Sequence, residues 1–300
     1  MNVNTAGQHS AAIRSDRGGG TIRVDGGTYN STGAGSPAIY STADIAIHDA
    51  TLKATGSEAA SIEGKNTIKL FDCNLTGKMP DSSENDNTWG VILYQSSSGD
   101  STVGTSEFSM VGGSLDIQNG GFFHTNSTAS EFLFDNVSLT HTNNDSYEYL
   151  IRCCGNKRWN SEAGSTCNFT TIDQTMNGKV IYDSASTLNL YLTGSSTWTG
   201  ASSVDTTYTG SKTSAIYLAS NSKWIVNGNS TIDNLYNAGT IVDSSNKTVS
   251  IVANGNKVVT GTSDYTITVT STYSTTANLS SALTAPSWSD YEVSKHSDIS

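Results

Sequence analysis

Seven side chains recur at one point of a repeating pattern: Arg14, Tyr40, Glu63, Tyr94, His124, Arg152 and Tyr182. Each directly follows an apolar residue, in order Ile13, Ile39, Ile62, Leu93, Phe123, Ile151 and Ile181. Successive strand residues point to opposite faces, so an apolar residue facing the core sends its successor outward. The seven then form one outward column of aromatics, cations, a carboxylate and an imidazole. Such a column suits a sugar chain, with tyrosine faces against pyranose rings and Arg14 and Arg152 gripping uronate carboxylates in bidentate fashion. It also holds the parts for eliminative cleavage of an acidic glycan, which needs a base and a group that neutralises the carboxylate. Arg14, Tyr40 and Glu63 make one such set, and Glu63, Tyr94 and His124 another. The competing reading is plainer: long side chains cover the backbone and pair with each other, Tyr40 with Glu63 for example. Hydrolysis is disfavoured, because it needs two carboxylates about 5–10 Å apart, and no second acid recurs beside Glu63.

The elements that must position this column are short strands in a repeat. Ala38 through Leu52 matches Ser61 through Leu75 at an offset of 23 residues. Ile39 aligns with Ile62, Ile45 with Ile68, Ile47 with Leu70, Asp49 with Asp72, and Leu52 with Leu75. Apolar residues at x, x+2 and x+7 recur at Ile22/Val24/Tyr29, Phe108/Met110/Leu115 and Phe132/Phe134/Leu139. Position x+4 holds Gly26, Asp49, Asp72, Gly112 and Asn136, residue types that tolerate left-handed backbone at low cost. Each unit therefore reads as a strand, a tight bend and a second strand, preceded by a third strand that carries the column. Looser copies follow at Leu190/Leu192/Trp198, Trp224/Val226/Ile232 and Val249/Ile251/Val258, and the pattern fades between Ile151 and Leu190. Among the third strands, Ala215-Ile216-Tyr217 and Thr240-Ile241-Val242 extend the series. Three short strands per repeat describe one coil of a parallel β-helix, each coil burying its apolar residues only against its neighbours. The expected architecture is all-β, a solenoid of about nine coils over residues 1–271. Insertions fall at Thr76–Gly90, Gly155–Thr166 and Ser195–Ser214. Residues 272–300 read as a flexible Ser/Thr-rich tail or linker.

Composition agrees and narrows the setting. The 300 residues include 46 Ser, 40 Thr and 26 Asn, together more than the 35% that is apolar. These types compete with helix interiors for backbone hydrogen bonds. The 13 Tyr, 7 Phe and 5 Trp argue against a disordered chain. A net charge of −11 excludes nucleic acid and anionic membranes as favoured partners. No apolar run spans a bilayer, and Met1–Ser10 has no signal-peptide pattern. The composition nonetheless suits an extracellular or cell-surface chain. Four cysteines, Cys73, Cys153, Cys154 and Cys167, are too few for a disulfide scaffold. Cys167 can close a short loop with Cys153 or Cys154, or all can be buried thiols. No cofactor is expected. The five histidines share no ligand spacing, and only the acidic loop Asp81–Asn87, with Glu84 and Asp86, offers carboxylates for Ca²⁺.

The run Ala12-Ile13-Arg14-Ser15-Asp16-Arg17-Gly18-Gly19-Gly20-Thr21, with Ser36-Pro37-Ala38-Ile39-Tyr40-Ser41-Thr42 and Ile62-Glu63-Gly64, resembles a group of uncharacterised bacterial surface proteins. Their pectin-lyase-like β-helix is often described as adhesin-like or carbohydrate-binding. The resemblance covers roughly Ser10 to Ser271 and implies a right-handed helix, the hand also favoured by parallel crossovers. It transfers no catalytic residues. The enzymes of that fold carry motifs absent here: there is no Asp-Asp pair, Gly-His-Gly or Arg-Ile-Lys for a polygalacturonase. Nor do Pro37, Pro80 and Pro286 provide the Arg-x-Pro-x-x-Arg stretch of a pectate lyase. The resulting expectation is a non-catalytic module that binds a polysaccharide or surface glycan, or mediates adhesion. A lyase acting on an acidic glycan and a structural stalk repeat are the alternatives.

Overall fold

The bend positions set the path of the chain. Gly26, Asp49, Asp72, Gly112 and Asn136 all adopt positive φ, between 47° and 71°. Asp173 and Gly194, at 48° and 61°, continue the series through the stretch where the apolar pattern fades. There Thr171 takes an inward site that an apolar residue holds elsewhere. It is fully buried, and its hydroxyl donates to the Tyr191 carbonyl at 3.1 Å. A satisfied hydroxyl costs little inside a core, so the geometry persists although the pattern weakens.

The computed structural model of the chain describes residues 1–17, 19–81, 88–142, 149–156 and 164–294. Regular structure is almost all strand, arranged in a 16-stranded, an eight-stranded and a four-stranded sheet. Among the described residues, pairing between the strands is parallel except for one hairpin, Ser250–Ala253 with Asn256–Val259, and an isolated antiparallel bridge joins Val242 to Thr248. The early strands Thr21–Ser31 and Asp44–Ala54 bend at Gly26 and Asp49 and so serve two faces. Later the same path is split, as in Thr67–Phe71 and Asn74–Gly77. Inward residues align rung upon rung: Ile45, Ile68, Phe108, Phe132, Phe169 and Leu190 share one register column, all buried. Burying each such side chain contributes about 1.5–3 kcal/mol. Trp198 and Trp224 stack on adjacent rungs, 4.6 Å apart and 18° from parallel, their indole N–H groups donating to Gly178 and Gly200 carbonyls at 2.9 Å. The described strands form long parallel sheets with no closed barrel, an arrangement consistent with a β-helix solenoid.

Several assignments shift. Ala215–Leu218 belongs to the long sheet, Ile216 beside Leu190, and Thr240–Asp243 to the four-stranded one, so neither continues the column strands. The third insertion shrinks to 205–213, because Thr197–Gly200 and Ser202–Val204 are paired strands. Ser250–Ala253 ends the long sheet as one arm of the hairpin rather than a further repeat, and Thr266–Ser274 lies between it and Ser230–Asn237. All four cysteines are buried free thiols.

Residues 275–292 do not extend away from the body. They return along the outer face of the long sheet, where Arg23, Lys69 and Thr170 share an outward column. The Leu283 N–H donates to Thr170 Oγ1 at 3.0 Å. Trp288 stacks on His48 at 5.1 Å and tilts against Phe71 at 5.7 Å. Tyr291 meets Phe71 at 5.6 Å beneath the cations of Arg23 and Lys69, at 5.2 and 5.9 Å. The strap is fixed by side chains, and a sequence pattern of periodic strands carries no trace of it.

Candidate functional site

The eight-stranded sheet divides the expected column. Arg14, Tyr40, His124 and Arg152 do share an outward column, but Ser61 and Ile92 fill the rungs between them. Glu63 pairs with Tyr94 and Asn126 two residues further along, in the neighbouring outward column. Tyr182 pairs with Cys153 in an inward column and is 1% exposed, while Ile181 takes the outward place beside Arg152. The slip originates at Ala60–Glu63: Ala60, not Ile62, sits beside Ile39, and Ile62 sits beside Ser41. Small residues fill inward sites here, so apolar identity does not mark the register.

The column is also not an open groove. His124 is fully buried, stacked on Trp89 at 5.4 Å, with Nδ1 3.2 Å from the Arg152 carbonyl. Burial, and then the nearby Arg152 cation, push its pKa down to about 3. Arg152 lies under the 205–213 loop, 3.5 Å from Asp205. The Arg14 guanidinium covers the Tyr40 ring at 4.7 Å and pairs with Asp16 at 3.1 Å, so that ring face is not free for a sugar.

Glu63 forms the most ordered polar centre. Its side chain is 2% exposed. Oε2 accepts from Tyr40 Oη at 2.6 Å and Tyr94 Oη at 3.3 Å, while Oε1 accepts from the hydroxyls of Ser96 and Ser98, the latter at 3.1 Å. A buried carboxylate is tolerated when its lone pairs are filled this way. Both phenols are raised, by burial first, with the Glu63 carboxylate adding to it. They therefore hold their protons and act as donors. The paired reading of Tyr40 and Glu63 is thus what the structure shows.

Next to this centre lies an open cleft of about 630 Å³, lined by Arg17, Gly19, Thr42, Lys65, Asn66 and residues 98–102. Among the described residues that line it none has an apolar side chain. Arg17 reaches across to Asp100 at 2.8 Å, and Asn66 Nδ2 donates to the Glu63 carbonyl at 2.5 Å. The cleft and the centre share Ser98. Sequence reasoning missed this loop, although Gln95-Ser-Ser-Ser-Gly-Asp-Ser-Thr-Val-Gly104 is a polar run between two apolar strand pairs. For the Ca²⁺ expectation, Asp81 is occupied by Asn119 at 2.8 Å, and residues 82–87 lie outside the described residues. Among the described residues no three His, Cys, Asp or Glu side chains converge as a metal site. No helix among them is long and apolar enough to cross a membrane.

The chain matches no protein-family model, no curated protein and no solved structure.

Proposed function

We propose that the chain is an extracellular or cell-surface β-helix module that binds glycan without catalysis, adhesin-like in use. The strands are read as about nine coils of a right-handed, pectin-lyase-like helix, the hand favoured for parallel crossovers. The observation that carries the binding reading is the cleft beside Glu63. Its hydroxyls, the Asn66 amide, two cations and one carboxylate suit a hydroxyl-rich ligand, and its lack of apolar lining disfavours a hydrophobic one. A uronate carboxylate would compete with Asp100 for Arg17, whose guanidinium is largely exposed, so exchange there is cheap.

The same geometry favours binding over cleavage. Glu63 has both oxygens engaged, Tyr40 and Tyr94 retain their protons, and His124 is enclosed, so no described group of the expected column is free to abstract a proton. The test is retention on immobilised polygalacturonate and neutral glucans, with absorbance followed for unsaturated products. Retention on the acidic polymer that weakens in Arg17→Ala and Lys65→Ala is expected. Retention on nothing, unchanged retention in the double variant, or steady release of unsaturated product would each overturn the reading.

A further inference from the structure

The outer face of the long sheet pairs its charges by one geometric step. Arg23, Ala46, Lys69, Ser109 and Leu133 follow one another in one outward column. The neighbouring outward column, two residues earlier on each strand, holds Asp44, Thr67, Glu107 and Glu131. A cation of the first column bonds the carboxylate that stands one rung further along in the second. Arg23 bonds Asp44 in this way, and Lys69 Nζ bonds Glu107 Oε2 at 2.8 Å. Long side chains reach across such a diagonal between neighbouring strands. The same step leads a third time from the Ser109 position to Glu131. There the carboxylate is in place and the cation is not.

Glu131 has no hydrogen bond or ion pair to a described residue. Glu107 stands directly beside it on the preceding rung, and like charges directly opposite destabilise a sheet. Burial first, and then the Glu107 charge, push the Glu131 pKa up. Where the third cation would lie there is a cavity of about 230 Å³. Glu107, Ser109 and Glu131 line its sheet side, and Leu283, Pro286 and Tyr291 of the strap line the other. Ser109 is 7% exposed and its hydroxyl has no hydrogen-bond partner, although buried hydroxyls are ordinarily satisfied. That hydroxyl is screened from water, so the groups that meet a guest are the carboxylates. Glu131 is half-buried, and the Glu107 side chain is 42% exposed. Lys69 also lines the cavity, which therefore carries two carboxylates against one ammonium, and that ammonium is held on Glu107. Arg23, at 5.2 Å from the Tyr291 ring, is held on Asp44. The nearby strap charges, Asp290 and Glu292, are exposed and negative.

We propose that the cavity beneath the strap binds one primary alkylammonium group, seated where the column leaves Glu131 without a cation. The ammonium has three N–H donors. They serve Glu131 and the Glu107 oxygen that Lys69 does not use. Charges then alternate along the face in the order Lys69, Glu107, guest, Glu131. The alkyl stem lies against Leu133, Leu283 and Pro286, and the Tyr291 ring favours a cation at its face. The cavity is smaller than the ~300–1,000 Å³ of pockets for drug-sized ligands, so the guest is a short chain. A neutral guest would leave the two carboxylates facing each other, and an anion would add to them. A calcium ion takes six to eight oxygens, more than two carboxylates supply. The ammonium can belong to a free amine or to a lysine side chain of a partner. The cavity shares no residue with the Arg17–Lys65 cleft, so this site and the glycan reading fail independently.

The test uses the full chain, ¹³C-labelled at the glutamate carboxyls and ¹⁵N-labelled in the backbone, at constant ionic strength. It is titrated with n-butylammonium, with n-butanol, and with the N-methylamide of Nα-acetyl-lysine. Butylammonium should shift the Glu131 carboxyl and the Leu283 amide saturably, with a Kd on the order of 1–10 mM, as befits so small a ligand. Butanol, of the same shape without the charge, should bind about tenfold more weakly or not at all. Glu131→Gln keeps the shape of the wall and should weaken butylammonium about tenfold or more. Ser109→Lys supplies the cation from within the chain. It should abolish binding and give the Glu131 carboxyl the shift that the amine gives in the wild type. If Ser109→Lys disturbs the strap, Glu131→Gln decides alone. Affinity of the lysine amide equal to or above that of butylammonium identifies a partner's lysine as the source, and lower affinity a free amine; both support the site. No saturable shift with either amine, equal affinity for butanol, or unchanged affinity in Glu131→Gln overturns the proposal.

Discussion

Removing the Trp288 side chain should release the strap without unfolding the sheets beneath it. In Trp288→Ala two aromatic contacts vanish, the 5.1 Å stack on His48 and the 5.7 Å tilted contact with Phe71. Aromatic pairs contribute about 0.5–1.5 kcal/mol each beyond area burial. Trp288 is only half-buried, so about 1–2 kcal/mol of docking energy is at stake. The strap is held mainly through side chains, so its opening is a local event whose cost is separate from global unfolding. The Leu283 amide reports it directly, because its N–H is bonded to Thr170 Oγ1 across the strap–sheet boundary. Hydrogen exchange at Leu283 should accelerate by roughly 5- to 30-fold, the ratio that 1–2 kcal/mol implies. Amides inside the long sheet, such as Ile68 and Phe132, should exchange at their original rates. Unchanged protection at Leu283 would show that Trp288 does not hold the strap. Equal acceleration at Ile68 would show that strap and sheet open as one unit, and the local account would fail.

Ile68→Asp puts an unpaired charge at a fully buried rung position and should cost more than about 4 kcal/mol, enough to abolish cooperative melting of the neighbouring rungs; wild-type melting behaviour would refute the register. Glu63→Gln replaces a four-hydroxyl acceptor by an amide that must itself donate, and should lower chemical-denaturation stability by about 2–4 kcal/mol; an unchanged midpoint would contradict the network. His124 has a folded pKa below its ordinary 6.5, so the fold favours its neutral form. Its contribution is complete above pH 6.5 and is lost as pH falls toward 3, by up to about 1.4 kcal/mol per pH unit. Thermal melts of His124→Phe should therefore depend less on pH between 6.5 and 3 than those of the wild type, and parallel profiles would exclude this source.

The bends were legible because left-handed backbone selects few residue types. Gly26, Asp49, Asp72, Gly112 and Asn136 could be named from chemistry alone, and all adopt positive φ. The rungs Ile45, Ile68, Phe108 and Phe132 followed from the apolar spacing anchored on those bends. The eight-stranded sheet has no such anchor: its inward sites accept Ala60, Ser41 and Thr125 as readily as Ile39 or Phe123, so apolar identity misplaced Glu63, Tyr94 and Tyr182. Enclosure of His124 and Arg152 was invisible for another reason. It depends on Trp89 and on Asp205, residues 35 and 53 positions away along the chain, brought near by the path of the rungs. The strap lies further out of reach, since Leu283 meets Thr170 across a separation of 113 residues with no shared periodicity.

The indoles of Trp198 and Trp224 give the molecule an optical signature of its own. Two chromophores 4.6 Å apart and nearly parallel share their excited states, and their slight relative twist makes that coupling chiral. The pair should produce a bisignate circular-dichroism band that neither tryptophan produces alone and that either single replacement erases. Because the two rings sit on adjacent rungs, the band reads the stacking of one rung on the next. It distinguishes a strand that stays extended but slips its register from one that melts, which backbone absorption cannot do.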